Sequence, residues 1–187
     1  MRKNLGDAVR FFPQPLVLIA TYDEDGTPNV MAAAWAGIKD YHEVCFACSA
    51  GHKTTQNFLK TKAFTISFAE EGNIAESDFF GIASGNDSND KVAKVGFTFE
   101  KSETVNAPII KEYKVALECE LLDYSAEHGF TVGLVKNVVA DESVLDGENI
   151  DITKLKPVVY DGESTAYFKV GEKVADAFSC GNKFMEK

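Results

Sequence analysis

The sequence predicts a mainly β fold, an antiparallel barrel with a few helices inserted between its strands. Short apolar runs rich in β-branched residues recur along the chain and are bounded by turn residues, which is the pattern of strands in an antiparallel sheet. The helical stretches are few and do not alternate strictly with the strands, so a doubly wound fold is not expected. A length of 187 residues suits a single domain over 1–187 with a full core.

The first half of the chain predicts four strands and three helices. DEDG at residues 23–26 supplies turn chemistry, so the apolar runs on its two sides are expected to pair as a hairpin. The helix in TTQNFLKT should turn Phe58 and Leu59 inward. In chain order we expect a short helix over 4–12 that ends before Pro13, strands in PLVLIATYD, NVMAAAWAG, EVCFACSA and AFTISFAE, and helices in TTQNFLKT and NIAESDFFGIASG.

The second half predicts one short helix and three further strands. The helix lies in NDSNDKVAKVG, with Asp87 or Ser88 as its N-cap. KVALECELLDYSA and FTVGLVKNVVADESV have the pattern of long strands joined by a tight EHG connection, and STAYFKVGEKVADAF adds one more strand and a tail. DGENID predicts an acidic surface loop. No repeat, low-complexity tract or linker interrupts the chain, which supports the prediction of one domain.

The net charge of −10 limits the classes of binding partner that the chain can have. It argues against nucleic acid, which needs a basic face, and against an anionic membrane surface. An anionic ligand would therefore have to be held by a local arrangement of donors. No targeting segment or membrane span is expected, since the first apolar run, PLVLIA, is short. We predict a cytoplasmic location.

Cys45 and Cys48 form a CxxC sequence, which can signal a zinc or redox site. Positions three apart on a strand face opposite sides, so these two thiols should not share a metal or form a bridge. No second CxxC and no HxxxH is present to complete a site. We expect buried, reduced thiols and no metal.

Polar residues crowd the expected helix start in SAGHKTTQNF, residues 49–58. A helix N-terminus leaves backbone N–H groups unpaired and carries partial positive charge, a geometry that binds phosphate. Lys53 adds a full charge, and Thr54 and Thr55 add hydroxyl donors. The pattern indicates an anion site, although an ordinary capped helix would use the same residue types.

A second polar helix start occurs in SGNDSNDKVAKVG. Lys91 lies where it could reach an anion at that N-terminus. Asp87 and Asp90 could instead cap the helix without any ligand. Two such starts in one acidic domain strengthen the prediction of a bound anion.

The stretch NVMAAAW predicts a flat wall beside these helix starts. As a strand it places Asn29, Met31, Ala33 and Trp35 on one face. Small residues with one amide and one indole could receive a planar ring, and the strand backbone could pair with the polar edge of a heterocycle. The alternative is that the small residues allow close strand–helix packing and that Trp35 belongs to the core.

Six stretches in a fixed order carry a family resemblance: PLVLIATYDEDGTPNVMAAAW, SAGHKTTQNF, AFTISFA, FFGIASGNDSNDKV, APIIKEYKVALECEL and AYFKVGE. Together they resemble the flavin reductase-like domain family, the FMN-binding split barrels, and within it the flavoredoxin branch. The resemblance covers nearly the whole chain. It implies a six-stranded antiparallel Greek-key split barrel with a few flanking helices, a homodimer, and FMN bound near the dimer interface.

The resemblance also implies which residues contact the cofactor. The NVMAAAW strand would line the flavin ring, and the SAGHKTT turn would hold the ribityl chain and phosphate. The family often has SGR where this chain has Ser84-Gly85-Asn86, so the arginine of that motif is missing here. The cofactor-binding residues implied in this way are Asn29, Met31, Ala33, Trp35, Ser49, Lys53, Thr54, Thr55, Lys91, His128 and Phe168.

The implied function is an oxidoreductase that passes electrons from NAD(P)H through bound FMN to an acceptor. Flavin carries the electron chemistry, so no set of catalytic side chains is needed. An alternative is a flavoredoxin-type carrier reduced by a redox protein partner, which an acidic surface would suit. A non-redox ligand-binding role on the same barrel is the third candidate. A hydrolase is not expected, since the chain has no GxSxG sequence.

Overall fold

The structure is a computed structural model that describes residues 1–88 and 90–185. Its helices are α1 Lys53–Thr61, α2 Ile74–Ile82, α3 Lys91–Val95 and α4 Ile152–Leu155, with 3₁₀ turns at Glu71–Asn73, Glu142–Val144 and Asn182–Phe184. Its strands are β1 Gln14–Pro15, β2 Val17–Tyr22, β3 Pro28–Ala33, β4 Ala36–Asp40, β5 Glu43–Ala47, β6 Ala63–Phe68, β7 Phe99–Lys101, β8 Pro108–Ile110, β9 Val115–Ser125, β10 Phe130–Ala140, β11 Leu145–Asp146, β12 Asn149–Ile150, β13 Val158–Asp161 and β14 Ala166–Lys169. Within the described ranges, none of the helices has the length and apolar character needed to cross a bilayer.

The main sheet has seven strands in the order β3-β2-β6-β9-β10-β5-β4, and all of its pairs are antiparallel. The mainly β, antiparallel fold class predicted from the sequence is therefore confirmed, with seven strands in place of six. The additional strand is β4, which the sequence pattern does not separate from the strand before it. The β2–β3 hairpin closes at the predicted DEDG turn, where Asp23 N donates to Thr27 O at 2.8 Å.

The sheet must curl because its two edge strands are consecutive in the chain. β3 ends at Ala33 and β4 begins at Ala36, so at most about 11 Å separates these two ends. A flat sheet of seven strands would separate its edges by about 29 Å. Among the pairings of the described residues, no ladder joins β3 to β4. The result is a barrel that stays open along one seam, between β3 and β4.

Two apolar clusters lie on opposite faces of β2, which explains why PLVLIA is a continuous apolar run. Ile19 belongs to the cluster inside the barrel, and Leu18 belongs to the cluster under α2. The inner cluster is built around three wholly buried rings whose centroids are 5.2–6.0 Å apart: Phe46, Phe58 and Phe64. The inward orientation predicted for Phe58 is confirmed, and α1 is thereby fixed against the barrel.

The helix predicted over residues 4–12 is wrong. This segment is exposed and has no regular secondary structure. Gly6 adopts a φ of +83°, which a right-handed helix cannot contain. With no buried face to pack, a helix of this length has little to stabilise it in water.

Two other predictions at the level of elements need correction. The residue that precedes α3 as its N-cap is Asp90, and not Asp87 or Ser88. The structure also contains a second sheet, β1-β13-β14, of which only the last strand is predicted from the sequence. In this sheet β1 pairs with β13, and Gln14 lies opposite Tyr160. Residues so far apart in the sequence give no local pattern from which their pairing could be predicted.

Candidate functional site

A cavity of about 350 Å³ opens beside the end of β3, next to the seam of the barrel. Five segments meet there: the end of β3 with the connection to β4, the end of β5, the start of α1, the end of α2 with the residues after it, and the start of α3. The side chains and backbone that line it belong to Met31, Ala32, Ala33, Ala34, Trp35, Ala47, His52, Lys53, Thr54, Phe80, Gly81, Ile82, Ala83, Ser84, Gly85 and Lys91. Among the described residues, this lining contains cationic side chains and no carboxylate.

The wall predicted from NVMAAAW is only partly a strand face. β3 supplies Met31 and Ala33, and both line the cavity. The strand ends at Ala33, so Trp35 lies in the connection to β4 and does not continue the strand face. Trp35 is 71% exposed at the cavity rim, which rules out the alternative that it belongs to the core. The lining therefore presents small apolar groups with an indole at the edge.

Asn29 lies behind the cavity and fixes the start of α1. Its side chain is buried, and Nδ2 donates to Thr54 Oγ1 at 2.8 Å. Because Thr54 Oγ1 accepts this hydrogen bond, its own hydrogen is left to donate elsewhere. Thr54 is 2% exposed and is one of the residues that line the cavity, so Asn29 holds part of the cavity wall in place.

Thr55 and Ser49 form hydrogen bonds within the turn before α1. Thr55 is fully buried, and its hydroxyl donates to Ser49 O at 2.8 Å and contacts Cys48 Sγ at 2.8 Å. Ser49 Oγ lies 3.2 Å from His52 Nδ1. Neither Thr55 nor Ser49 lines the cavity, so both hold the turn before α1 in shape.

The start of α1 has no side-chain cap among the described residues. His52 is the N-cap residue, and its side chain makes no capping hydrogen bond. The capped-helix alternative is therefore wrong for this helix. Backbone N–H groups at the first turn carry partial positive charge, and Lys53 stands beside them. Lys53 Nζ is held 2.6 Å from Asp23 Oδ2, in the turn of the β2–β3 hairpin.

Lys91 is a buried lysine without a counter-ion in the described part of the chain. It is 4% exposed, and Nζ donates to Ala83 O at 3.2 Å. Burial lowers the pKa of Lys91 to about 8, and no charged neighbour offsets this effect. Lys94, one turn further along α3, is exposed and pairs with Asp90 at 3.0 Å. A buried ammonium normally has an anionic partner, so the position of Lys91 at the cavity favours an anionic ligand.

Gly85 lets the segment after α2 close over this corner of the cavity. A Cβ at Gly85 would overlap Asn29 Oδ1 and lie 3.1 Å from Lys53 Cβ. Only a residue without a side chain fits this approach of backbone to Asn29. Asn86, which stands where the family often has arginine, donates from Nδ2 to Gly51 O at 2.8 Å and ties the segment to the turn before α1.

Besides Asn29, Ser49 and Thr55, two more of the residues predicted near the cofactor lie outside this cavity. His128 is exposed at the tip of the β9–β10 hairpin, and the next residue, Gly129, lies close to the backbone of Cys48 and Ser49. Phe168 is 51% exposed on β14, and its neighbour Tyr167 donates to Asp78 Oδ1 at 2.6 Å. Within one chain, the cavity therefore brings together six of the eleven predicted residues: Met31, Ala33, Trp35, Lys53, Thr54 and Lys91.

Asp23 and His52 are members of the site that were not predicted from the sequence. His52 directly precedes Lys53 in the polar stretch SAGHKTTQNF, so its position in the sequence could have identified it as a candidate site residue. Asp23 lies in the DEDG turn, and the need for a tight hairpin turn already accounts for an aspartate at this position. Its ion pair with Lys53 depends on the packing of α1 against the hairpin, which no local pattern reports.

Comparison with known proteins agrees with this fold. The family model described as "Flavin reductase like domain" matches residues 9–167. The flavoredoxin of Desulfovibrio vulgaris (Miyazaki F) is 37% identical, with a TM-score of 0.91 over 97% of this chain and 100% of that chain. A flavoredoxin from Methanosarcina acetivorans is 22% identical, with a TM-score of 0.90 over 99% of this chain and 100% of that one.

A third structure shares the fold at greater distance. It is described as an FMN-binding domain of a flavin reductase-like enzyme from Shewanella baltica OS155, and it is 19% identical with a TM-score of 0.79. The alignment covers 87% of this chain and 89% of that chain. The family model spans most of the barrel and the residues around the cavity. The chain therefore belongs to the flavin reductase-like domain family.

Proposed function

We propose that this chain is an FMN-binding oxidoreductase that passes electrons from NAD(P)H through bound FMN to an acceptor. The observation that carries the proposal is the buried ammonium of Lys91, which has no counter-ion in the described chain and lies at a cavity beside the uncapped start of α1. A planar ligand with an anionic group suits both features. The family and the FMN-binding description of the Shewanella baltica structure support FMN as that ligand.

The residues at the start of α1 suit the phosphate of FMN. Thr54 has a free hydroxyl donor, the first-turn N–H groups are uncapped, and Lys53 adds a charge. Charge-assisted hydrogen bonds of this kind contribute about 1.5–3 kcal/mol each. Because Gly85 has no side chain, its backbone can approach Asn29 and Lys53 closely, which narrows the cavity beside the start of α1.

The apolar wall suits the flavin ring. Met31 and Ala33 offer a surface without bulky side chains, and Trp35 at the rim can cover one edge of a ring and exclude water. Lys91 would hold its positive charge near the ligand and favour a more negative state of it. Bound FMN would supply the hydride and electron chemistry, and the protein would bind and orient it.

A visible absorption spectrum recorded without oxygen tests whether NADH or NADPH is the electron donor. We expect the purified protein, loaded with FMN, to show flavin absorption that bleaches within seconds to minutes on addition of NADH or NADPH. Free FMN with the same nucleotide, without protein, is the control for uncatalysed reduction. Failure to bind FMN at all would contradict the proposed function.

A second candidate is an electron carrier reduced by a redox protein. The 37% identity to the Desulfovibrio vulgaris flavoredoxin favours it, and the net charge of −10 would suit a basic docking partner. A bound flavin spectrum that persists with both nucleotides, yet bleaches with a reduced redox protein, would select this candidate over the first.

We also propose that the chain acts as a homodimer, with residues 1–187 as one unit in the cytoplasm. An apolar groove is lined by residues of β4, β5, β9 and β10 and of the β4–β5 turn, and Ile38 and Tyr41 are 86% and 98% exposed on it. An exposed apolar groove of this kind suits the packing of a second copy. His128 and Phe168, which lie outside the cavity, would then be available to the cofactor of a second copy.

Sedimentation equilibrium tests this interface. We expect the wild-type protein to have twice the 20.4 kDa mass of the chain and Ile38→Glu to be monomeric, because a buried unpaired carboxylate would oppose association. Ile152→Glu, at an exposed apolar position on α4, is the matched control and should remain dimeric. A dimeric Ile38→Glu protein would show that this face is not the interface.

A further inference from the structure

The carboxylate of Asp23 occupies a position beside the candidate phosphate site. Its Oδ2 lies 2.6 Å from Lys53 Nζ, and its Oδ1 accepts from Glu24 N at 2.7 Å. Both partners of the ion pair are largely shielded, with side-chain exposures of 22% for Lys53 and 15% for Asp23. This is not a typical surface ion pair, since screening by water is reduced at both ends.

Lys53 stands between two spaces. It lines the main cavity, and it also lines a small adjoining cavity of about 10 Å³ with Asp23, Gly85, Ser88 and Lys91. Among the described residues, Asp23 is the one carboxylate that lines either space. In the absence of ligand, Asp23 therefore supplies the negative charge that Lys53 would otherwise take from a bound anion.

The Asp23 carboxylate cannot easily move away. The hairpin turn holds its backbone through Asp23 N to Thr27 O at 2.8 Å and Gly26 N to Asp23 O at 3.0 Å. A phosphate that approaches Lys53 must share the ammonium with this carboxylate or displace Lys53 from it. Sharing brings two anionic groups close together in a shielded place, where like charges repel strongly.

We propose that Asp23 is a specificity-determining residue that competes with the ligand phosphate for Lys53 and so weakens binding of phosphate-bearing ligands. The inference rests on the proposed function, because it assigns the phosphate of FMN to the start of α1. Lys53 then has two alternative partners, the Asp23 carboxylate in the free protein and the phosphate in the complex. The ion pair lowers affinity for FMN and leaves affinity for riboflavin, which has no phosphate, unaffected.

Paired titrations with FMN and riboflavin, monitored by quenching of flavin fluorescence at low ionic strength, test the proposal. Asp23→Asn should lower the Kd for FMN by about tenfold, because one anionic competitor is removed, and should leave the Kd for riboflavin unchanged. Asn can still accept the Glu24 N–H, so the turn should keep its shape. Asp25→Asn is the matched control, since Asp25 lies in the same turn, accepts from Thr27 N at 2.9 Å, and makes no contact with Lys53 in the described structure.

Three results would overturn the proposal. An Asp23→Asn protein that binds FMN more weakly would show that Asp23 holds Lys53 in its productive position. An unchanged ratio of the two Kd values would show that the carboxylate and the phosphate do not compete. An equal gain in Asp25→Asn would show a general effect of net charge.

Inorganic phosphate provides a test that does not depend on flavin. We expect phosphate to raise the melting temperature of apo Asp23→Asn at concentrations that do not stabilise the apo wild-type protein. If the wild-type protein binds neither flavin, the proposed function fails while this comparison still tests Asp23. If the wild-type protein binds FMN and phosphate stabilises both proteins equally, the role of Asp23 fails while the proposed function stands.

Discussion

Replacement of Lys91 by methionine is expected to stabilise the apo-protein and to weaken FMN binding by about tenfold to a hundredfold. Lys91 is 4% exposed and has no carboxylate partner among the described residues, so its charge is unfavourable until an anion binds. Methionine keeps most of the side-chain volume and removes the charge, which should raise the free energy of unfolding by about 2 kcal/mol at pH 7. The loss of affinity follows from the loss of one charge-assisted contact.

Urea unfolding of the apo-proteins and FMN titration measure the two effects separately. Lys94→Met is the matched control, since Lys94 is exposed on the same helix and should change neither quantity by much. A Lys91→Met protein that is less stable as well as weaker in binding would mean that Lys91 is a structural residue. Opposite signs for stability and affinity distinguish a ligand-binding charge from a structural one.

The pH dependence of Lys91 has a defined sign. Burial lowers its pKa from 10.5 to about 8 in the folded apo-protein, so the unfolded chain binds more protons between these values. The destabilisation by Lys91 should be complete below pH 8 and should disappear as the pH rises from 8 towards 10.5. FMN affinity should fall over the same rise, because neutral Lys91 no longer attracts an anion. In Lys91→Met, the free energy of unfolding and the affinity for FMN should both depend less on pH than in the wild-type protein. Urea unfolding and FMN titration from about pH 7 to about pH 10 would measure these two dependences.

The sequence predicts the barrel well where the chain pairs locally. The DEDG turn, the apolar run in PLVLIA and the two long strands around EHG each carry a period or a turn signal, and β2, β3, β9 and β10 appear where they were expected. The connection at Ala34 and Trp35 interrupts NVMAAAWAG without any glycine or proline, so β4 could not be separated from β3 by pattern. In the sheet of β1, β13 and β14, only β14 was predicted, and the pairing of β1 with β13 spans most of the chain and leaves no local pattern.

The candidate site shows a similar division. Residue type and proximity to a helix start were enough to select Lys53, Thr54 and Lys91, and these line one cavity. The directions of neighbouring side chains were not predictable, because Thr54 and Thr55 look equivalent in sequence yet only Thr54 faces the cavity. Packing of α1 decides between them, since Thr55 is taken up by Cys48 Sγ and Ser49 O.

Gly133→Ala is expected to lower the free energy of unfolding by about 2–3 kcal/mol. Gly133 lies in β10 opposite the aromatic trio, and a Cβ there would overlap Phe64 Cζ and lie 3.1 Å from its Cε2. Phe64 is fully buried and packs edge-to-face on Phe46 at 5.2 Å, so its ring has little room to move. Gly37→Ala is the matched control, because Gly37 lies in β4 of the same sheet with open space at its Cβ.

A double-mutant cycle identifies the cause of this loss. Phe64→Leu alone should destabilise the protein by about 1 kcal/mol or more through lost packing, but it frees the space that the methyl group introduced by Gly133→Ala needs. The double variant Gly133→Ala with Phe64→Leu should therefore be more stable than the sum of the two single effects predicts, by about 1 kcal/mol, when urea unfolding curves are compared. If the two effects are strictly additive, the loss of stability in Gly133→Ala does not come from the contact with Phe64. It would then come from strain in the backbone of β10, where the pairing register shifts between Val132 and Gly133. Phe64 also packs against Phe58 of α1, with ring centroids 5.8 Å apart, so a displaced Phe64 ring would press on the helix that carries Lys53 and Thr54.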